Sequence, residues 1–169
     1  TLNITPASAD ILWEGDSYTP PFYKGRSLWA PQGYLRLMAM PSFGQAHKLI
    51  YKWTVNNEVL QDQSGYGRNT ISMYSNGLSG NIEVDLLVTD PSSNTAAQNS
   101  IVIPQNNPSI VFYENSPLFG PIFDKALSSF DMQNAELSVL AYPFNVDNNL
   151  LDKLSYRWLA NSKVVDASG

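Results

Sequence analysis

The sequence predicts an all-β fold of β-sandwich modules in tandem, with about seven strands in a complete module. Three observations predict it: apolar and polar residues alternate along several segments, turn-forming residues separate those segments, and the chain repeats itself. Signals of helical period are weak. The composition agrees, because 43% of the residues are hydrophobic, enough for a packed core, and only 15% are charged.

The strands of the complete module follow from alternation with a period of two. Tyr34–Met40, Ile50–Val55 and Asn81–Thr89 each place their apolar side chains on one face. The side chains predicted to face inward are Leu35, Leu37, Ala39, Tyr51, Trp53, Val55, Ile82, Val84, Leu86 and Val88. Further strands are predicted near Ile11–Trp13, at Asn69–Tyr74 and at Ala96–Ile103, and Val59 and Leu60 begin a short returning strand.

Turn residues separate these strands. Asn56-Asn57 tolerates positive φ angles and suits a tight hairpin, and Asp90-Pro91-Ser92-Ser93-Asn94 turns the chain after the most amphipathic strand. The number of short strands and turns in roughly 100 residues is typical of a β-sandwich.

Internal repetition divides the chain. Tyr51-Lys52-Trp53 reappears as Tyr156-Arg157-Trp158. The segments that match upstream, in the same order, are Leu35–Pro41 with Leu137–Pro143, Ile11–Glu14 with Ile110–Glu114, and Leu2–Pro6 with Ile101–Pro104. We therefore expect residues 1–6 to be the last strand of a preceding module, 8–104 a complete module and 108–169 the first half of a second. Chain absent from this sequence, or a neighbouring molecule, is expected to complete that half.

The residues of the two central strands also resemble a known family. Tyr51-Lys52-Trp53 and the segment Gly80–Asp90 resemble the polycystic-kidney-disease-type (PKD-like) branch of immunoglobulin-like modules, in particular the tandem repeats of large bacterial surface proteins. The resemblance implies an immunoglobulin-like sandwich on a cell surface or outside the cell. The proline-bracketed connection Pro104–Ser109 would join such modules into a semi-rigid rod.

Several functions are disfavoured by composition. A net charge of −5 argues against nucleic acid as a partner. Without cysteine there is no disulfide, thiolate metal site or cysteine nucleophile. No apolar run approaches the ~20 residues of a membrane-spanning helix, so we expect no membrane insertion in this segment.

Candidate chemical groups are few. His47 is the single histidine, and we expect it to be an ordinary loop residue rather than a catalytic base. Asp147, Asn148, Asn149 and Asp152 make an oxygen-rich loop that could ligate Ca²⁺, but a solvated turn is the expected interpretation. We expect no enzymatic activity, metal or cofactor.

An aromatic cluster is the candidate contact surface. It comprises Tyr18, Phe22 and Tyr23, with Trp29 nearby, and could stack sugars or contact a protein if these rings are exposed. The competing interpretation, which we favour, is packing at the edge of the sandwich or between modules. Trp53 and Trp158 are expected to be core anchors.

The expected role is that of a structural or adhesive module, without catalysis, in an extracellular stalk or filament. Its partners would be neighbouring immunoglobulin-like modules or copies of the same protein. The alternatives are a module that binds glycan or a surface protein through its aromatic loop, and an accessory domain of an exported hydrolase.

Overall fold

The structure, a computed structural model, describes residues 6–75, 80–128 and 137–165. More than half of these residues lie in strands, and the helical elements among them are short 3-10 turns at Ala46–Lys48, Gln61–Gln63 and Asn148–Lys153. The all-β prediction is therefore confirmed. The strand expected in residues 1–6 lies outside the described residues except for Pro6.

In chain order the strands are β1 (Ala9–Gly15), β2 (Ser17–Tyr18), β3 (Tyr34–Pro41), β4 (Ile50–Val55), β5 (Glu58–Val59), β6 (Gly65–Tyr66), β7 (Thr70–Tyr74), β8 (Ile82–Asp90), β9 (Thr95–Ile103), β10 (Ser109–Ser116), β11 (Gly120–Leu127), β12 (Val139–Phe144), β13 (Val146–Asp147), β14 (Trp158–Ala160) and β15 (Lys163–Val165).

Two antiparallel sheets from the first part of the chain share one hydrophobic core. One sheet has the order β1-β3-β7, and the other has the order β5-β4-β8-β9, with β6 also paired to β4. Leu37 of β3, Trp53 of β4 and Val84 of β8 are completely buried in the common core. The strands alternate buried and exposed residues because successive side chains point to opposite faces of a sheet.

The predicted inward faces of the three central strands are confirmed. Each of the following side chains is buried: Leu35, Leu37, Ala39, Tyr51, Trp53, Val55, Ile82, Val84, Leu86 and Val88. The outward Lys52 is exposed, as predicted. Hydrophobic alternation therefore fixed which face of each of these strands meets the core.

The hairpin between β4 and β5 turns at Asn56 and Asn57, whose φ angles are 47° and 68°. Asparagine tolerates this left-handed region better than most residues do. The Asn56 side chain also accepts a hydrogen bond of 2.9 Å from the backbone N–H of Glu83 on β8. The turn is thus tied to the neighbouring strand.

Strands β10 to β15 form a second group. β10 lies in the middle of a sheet of order β11-β10-β12, and β14 pairs with β15 in a separate hairpin. Among the described aliphatic and aromatic side chains of this group, Tyr113 and Val146 are buried, whereas most others are half-buried or exposed. This group therefore has a much thinner core than the first.

One expectation about this second group is wrong. Trp158 is half-buried and lies outside the core cluster, unlike its counterpart Trp53. Within the described residues β14 pairs with β15 alone, so no strand covers Trp158 as β8 covers Trp53. Its ring is 5.9 Å from that of Phe112, measured between centroids.

Candidate functional site

The aromatic cluster lies on the segment between β2 and β3. A backbone hydrogen bond of 2.9 Å from Tyr23 N–H to the Pro20 carbonyl closes a turn there. Because proline fixes its own φ angle, Pro20 and Pro21 restrict the conformation of this turn. Pro20 is buried, Phe22 is half-buried and Tyr23 is exposed, so the turn carries two aromatic rings out from the first group of strands.

Phe22 contacts three aromatic rings of the second group. Its ring stacks on Phe123 of β11, with centroids 3.8 Å apart and an interplanar angle of 15°. It meets Tyr113 of β10 and Tyr142 of β12 edge to face, at 5.3 Å and 5.0 Å. These three rings also contact one another at 5.5–5.9 Å. Phe22 is therefore the inserted residue of a four-ring cluster, here called the aromatic junction.

Tyr23 and Gly25 extend this contact. The Tyr23 ring meets Phe144 edge to face, with centroids 5.4 Å apart. A side chain at Gly25 would collide with the Tyr23 ring, so the absence of a Cβ atom there leaves room for it. Tyr23 remains 41% exposed despite this contact.

Backbone pairing joins the two groups beside the aromatic junction. β2 pairs antiparallel with β13, with Tyr18 opposite Val146 and Ser17 opposite Asp147. The Asn145 N–H donates a further hydrogen bond of 3.1 Å to the Tyr18 carbonyl. Tyr18 thus takes part through its backbone, and its half-buried side chain is not one of the four rings.

A polar contact lies next to this strand pair. Asn148 Nδ2 donates to Asp16 Oδ1 at 2.9 Å. Asp147 Oδ1 accepts from the backbone and the side chain of Asn149, at 2.8 Å and 3.0 Å, and caps the following 3-10 turn. Asp147, Asn148 and Asn149 of the oxygen-rich loop therefore use their side chains for capping and for the contact with Asp16, whereas Asp152 is exposed. In the part of the chain that the structure describes, no group of His, Cys, Asp or Glu side chains has the arrangement of a metal site.

The structure corrects the placement of Trp29 in the candidate contact surface. The sequence interpretation made it available to a ligand if exposed, but its side chain is completely buried in the core of the first group. The neighbouring Gly15 lies against the backbone of Leu28 and Trp29, where any Cβ would clash. This close approach brings the Trp29 segment inward, and Trp29 cannot belong to an exposed contact surface.

The sequence did not identify the residues of the second group that contact Phe22 and Tyr23. The sequence did not identify Phe123 as a contact of the Tyr18–Tyr23 segment. Tyr113, Tyr142 and Phe144 were not identified as partners at all. The alternating aromatics of β12 were the available signal, because Tyr142 and Phe144 are two residues apart and so share a face.

Two titratable groups have pKa values shifted by their surroundings. Burial raises the pKa of Tyr51, whose hydroxyl donates to the Ala46 carbonyl at 3.0 Å. Hydrogen bonds from the Ser92 hydroxyl at 2.6 Å and its N–H at 2.8 Å lower the pKa of Asp90. Tyr51 and Asp90 thus form hydrogen bonds with residues close to them in the sequence. His47 is exposed in the Ala46–Lys48 turn.

Comparison with known proteins found no match for the chain. No family model matches the chain, and neither a curated protein nor a solved structure does. Among the described residues, no helix has the length and apolarity to cross a bilayer. Any function must therefore be argued from the residues themselves.

Proposed function

We propose that the chain is a structural segment of an extracellular surface protein, in which immunoglobulin-like modules form a semi-rigid stalk or filament. The strand orders β1-β3-β7 and β5-β4-β8-β9 support the module type. An assignment of these strands to A, B and E in one sheet and C′, C, F and G in the other, a variation on the ABED and CFG sheets of immunoglobulin domains, supports this part of the proposal. The resemblance of Gly80–Asp90 to PKD-like repeats supports the same proposal.

The observation that carries the proposal is the insertion of Phe22 into three rings of the next group. Aromatic pairs contribute about 0.5–1.5 kcal/mol each beyond the area they bury, so three contacts together resist rotation between the groups. The β2–β13 pairing adds directional hydrogen bonds beside them. These contacts add to the restriction from the proline-bracketed linker and would hold the modules in one orientation.

The proposed role needs no catalytic group. Successive modules that contact mainly their neighbours can be added or removed without redesign, which suits a spacer of variable length. The partners of the segment would then be further modules or copies of the same protein, on the cell surface or outside the cell.

Distance measurements between the two groups test the stiffness on which this function depends. The chain has no cysteine, so Glu58→Cys on β5 and Asp124→Cys on β11 give two specific sites for spin labels. Both positions are exposed and outside the aromatic junction. Double electron–electron resonance should give a single narrow distance distribution, and Phe22→Ala should broaden it.

Tyr66→Ala is the matched control, because Tyr66 is 63% exposed on β6 and contacts none of the four rings. It should leave the distribution as narrow as in the parent protein. A broad distribution in the parent, or a Phe22→Ala variant as narrow as the control, would contradict the semi-rigid rod.

The glycan-binding alternative has less support from the same residues. Of the four aromatic residues proposed for it, Trp29 is buried, one face of Phe22 is covered by Phe123, and Tyr18 is half-buried. Sugar stacking needs an open ring face. Tyr23 alone retains substantial exposure, and a single exposed ring makes a weak platform.

A further inference from the structure

Tyr34 and Tyr74 form a pair of exposed phenol rings on the outer face of the sheet β1-β3-β7. They lie directly opposite each other, Tyr34 at the start of β3 and Tyr74 at the end of β7. Their ring centroids are 4.9 Å apart, and the angle between the ring planes is 51°. The two residues are 54% and 43% exposed, so both rings are accessible from solvent.

Backbone hydrogen bonds fix the strand register that brings these rings together. The Ser75 N–H donates to the Gly33 carbonyl at 3.1 Å, between β7 and β3. On the β1 side, the Asp16 N–H donates to the Tyr34 carbonyl at 2.8 Å. Because successive residues of a strand alternate in the direction of their backbone groups, Tyr34 and Tyr74 are a non-hydrogen-bonded pair. Side chains approach most closely in such pairs.

Exposure distinguishes this pair from the tyrosines of the aromatic junction. Within the described residues, one other pair of tyrosines is in ring contact, Tyr113 and Tyr142, with centroids 5.9 Å apart. Tyr113 is 8% exposed, and Phe22 lies against both rings. Tyr34 and Tyr74 therefore combine a shorter separation with access for a reagent from solvent.

We propose that Tyr34 and Tyr74 are a site of oxidative cross-linking, at which a haem peroxidase and hydrogen peroxide join the two rings into dityrosine. Each phenol gives up one electron and one proton, and hydrogen peroxide takes them up and is reduced to two water molecules. The resulting phenoxyl radicals combine through a carbon–carbon bond between one Cε atom of each ring. The hydrogens on these two carbons then move to the phenol oxygens, so the protein loses two hydrogen atoms in all.

The observed arrangement of the two rings is close to that in the product. A centroid separation of 4.9 Å is only slightly longer than that of two directly joined phenol rings, so bond formation needs a small side-chain movement. The angle of 51° also suits the product, because the groups next to the new bond keep joined rings out of one plane. Held together by the fold, the two radicals would react without first having to diffuse to each other.

The new bond would tie the end of β7 to the start of β3. It would close the segment from Tyr34 to Tyr74 into a loop, and a covalent link of this kind stabilises a fold by restricting the unfolded chain, as a disulfide does. The link lies within the first group of strands. The proposal therefore does not depend on the stalk function or on the aromatic junction.

Peroxidase treatment of the whole 169-residue chain at low protein concentration is the direct test. Intact-mass spectrometry of the monomer should show the loss of two hydrogen atoms, together with dityrosine fluorescence. A disulfide cannot cause this loss, because the chain has no cysteine, and oxidation of methionine adds oxygen instead. The yield should be independent of protein concentration, because the reaction is intramolecular.

Phenylalanine variants locate the link without removing any ring. Tyr34→Phe and Tyr74→Phe should each abolish the loss of hydrogen in the monomer. Tyr66→Phe is the matched control, because Tyr66 is 63% exposed and has no ring contact in the part of the chain that the structure describes. It should react as the parent does, and so should Tyr142→Phe, which removes the other tyrosine pair.

Thermal unfolding measures whether the link ties the strands. Before oxidation, circular dichroism of Tyr34→Phe should match that of the parent. After oxidation, the Tm of the parent should exceed that of Tyr34→Phe by about 10 °C or more. Methionine oxidation affects both samples alike and does not contribute to this difference.

Several results would overturn the proposal. The monomer could lose no hydrogen, Tyr34→Phe or Tyr74→Phe could lose it as readily as the parent, or Tyr142→Phe could abolish the loss. Dityrosine found only in covalent dimers would show that the reaction joins separate molecules. Equal Tm values for the oxidised parent and the oxidised Tyr34→Phe variant would show that the strands are not tied.

Discussion

Trp53→Phe is the sharpest test of how the first group is held together. Trp53 is completely buried between the two sheets, and its Nε1–H donates to the Arg68 carbonyl at 2.9 Å. Phenylalanine keeps an aromatic ring but loses two carbon atoms and this donor. At about 0.8 kcal/mol for each buried carbon and about 1 kcal/mol for the hydrogen bond, we expect a loss of about 2–3 kcal/mol.

The measurement is thermal unfolding followed by circular dichroism, which does not depend on the replaced fluorophore. For a unit of about 100 residues, each kcal/mol lowers Tm by about 4–8 °C, so Tm should fall by roughly 8–24 °C. Trp158→Phe is the internal control, because its half-buried ring lies outside the core cluster. Its effect on the main transition should be less than about 1 kcal/mol.

A Trp53→Phe variant that unfolds within about 2 °C of the parent would refute this reasoning, since the shift predicted from Tm scaling is several times larger. A larger loss of stability in Trp158→Phe than in Trp53→Phe would also refute it, because the second group would then hold the tighter core.

Three further predictions concern single positions. Tyr51→Phe should lower the unfolding free energy by about 1 kcal/mol at neutral pH by removing the bond to the Ala46 carbonyl. Because the pKa of Tyr51 is raised in the fold, the stabilising contribution of its hydroxyl is lost as the pH rises through that pKa. Urea titrations at alkaline pH should therefore show a smaller decline of the unfolding free energy with pH in Tyr51→Phe than in the parent. The pKa of Asp90 is lowered in the fold, so the contribution of its carboxylate to stability is lost as the pH falls through that folded-state pKa. In acid, the Tm of Asp90→Asn should therefore change less with pH than the Tm of the parent. Asn57→Val should cost about 1–2 kcal/mol in urea denaturation, since φ is 68°, whereas Asn57→Gly should not destabilise; equal losses would contradict the turn assignment.

Alternation predicted the long central strands because each has one face in the core and one face in solvent. β4 has the predicted bounds, and the predicted Asn81–Thr89 strand differs from β8 by one residue at each end. β11 was missed, because most of its residues are exposed and its pattern resembles that of a loop. The two-residue strands β2 and β13 are too short for any period to show.

The candidate site was harder to predict than the fold for a physical reason. Burial of Trp29 depends on Gly15 admitting the Leu28–Trp29 backbone, a close approach that hydrophobic pattern does not encode. The contact of Phe22 with Phe123 joins residues far apart in the sequence. Composition indicated that the Tyr18–Tyr23 segment was a candidate contact surface, and the favoured interpretation was packing at the edge of the sandwich or between modules. It could not indicate which rings would meet.

The position of Phe22 separates the stiffness of the proposed rod from the stability of its modules. Phe22 lies outside the core cluster that contains Trp53, so its removal leaves that core intact. Each group could then remain folded while the orientation between groups is lost. A substitution of Phe22 would therefore change how rigidly successive modules are joined at little cost to the folding of the first group, whereas a core substitution would affect both. If the aromatic junction sets stiffness, Phe22→Ala broadens the distance distribution while the Tm of the transition that unfolds the Trp53 core stays unchanged.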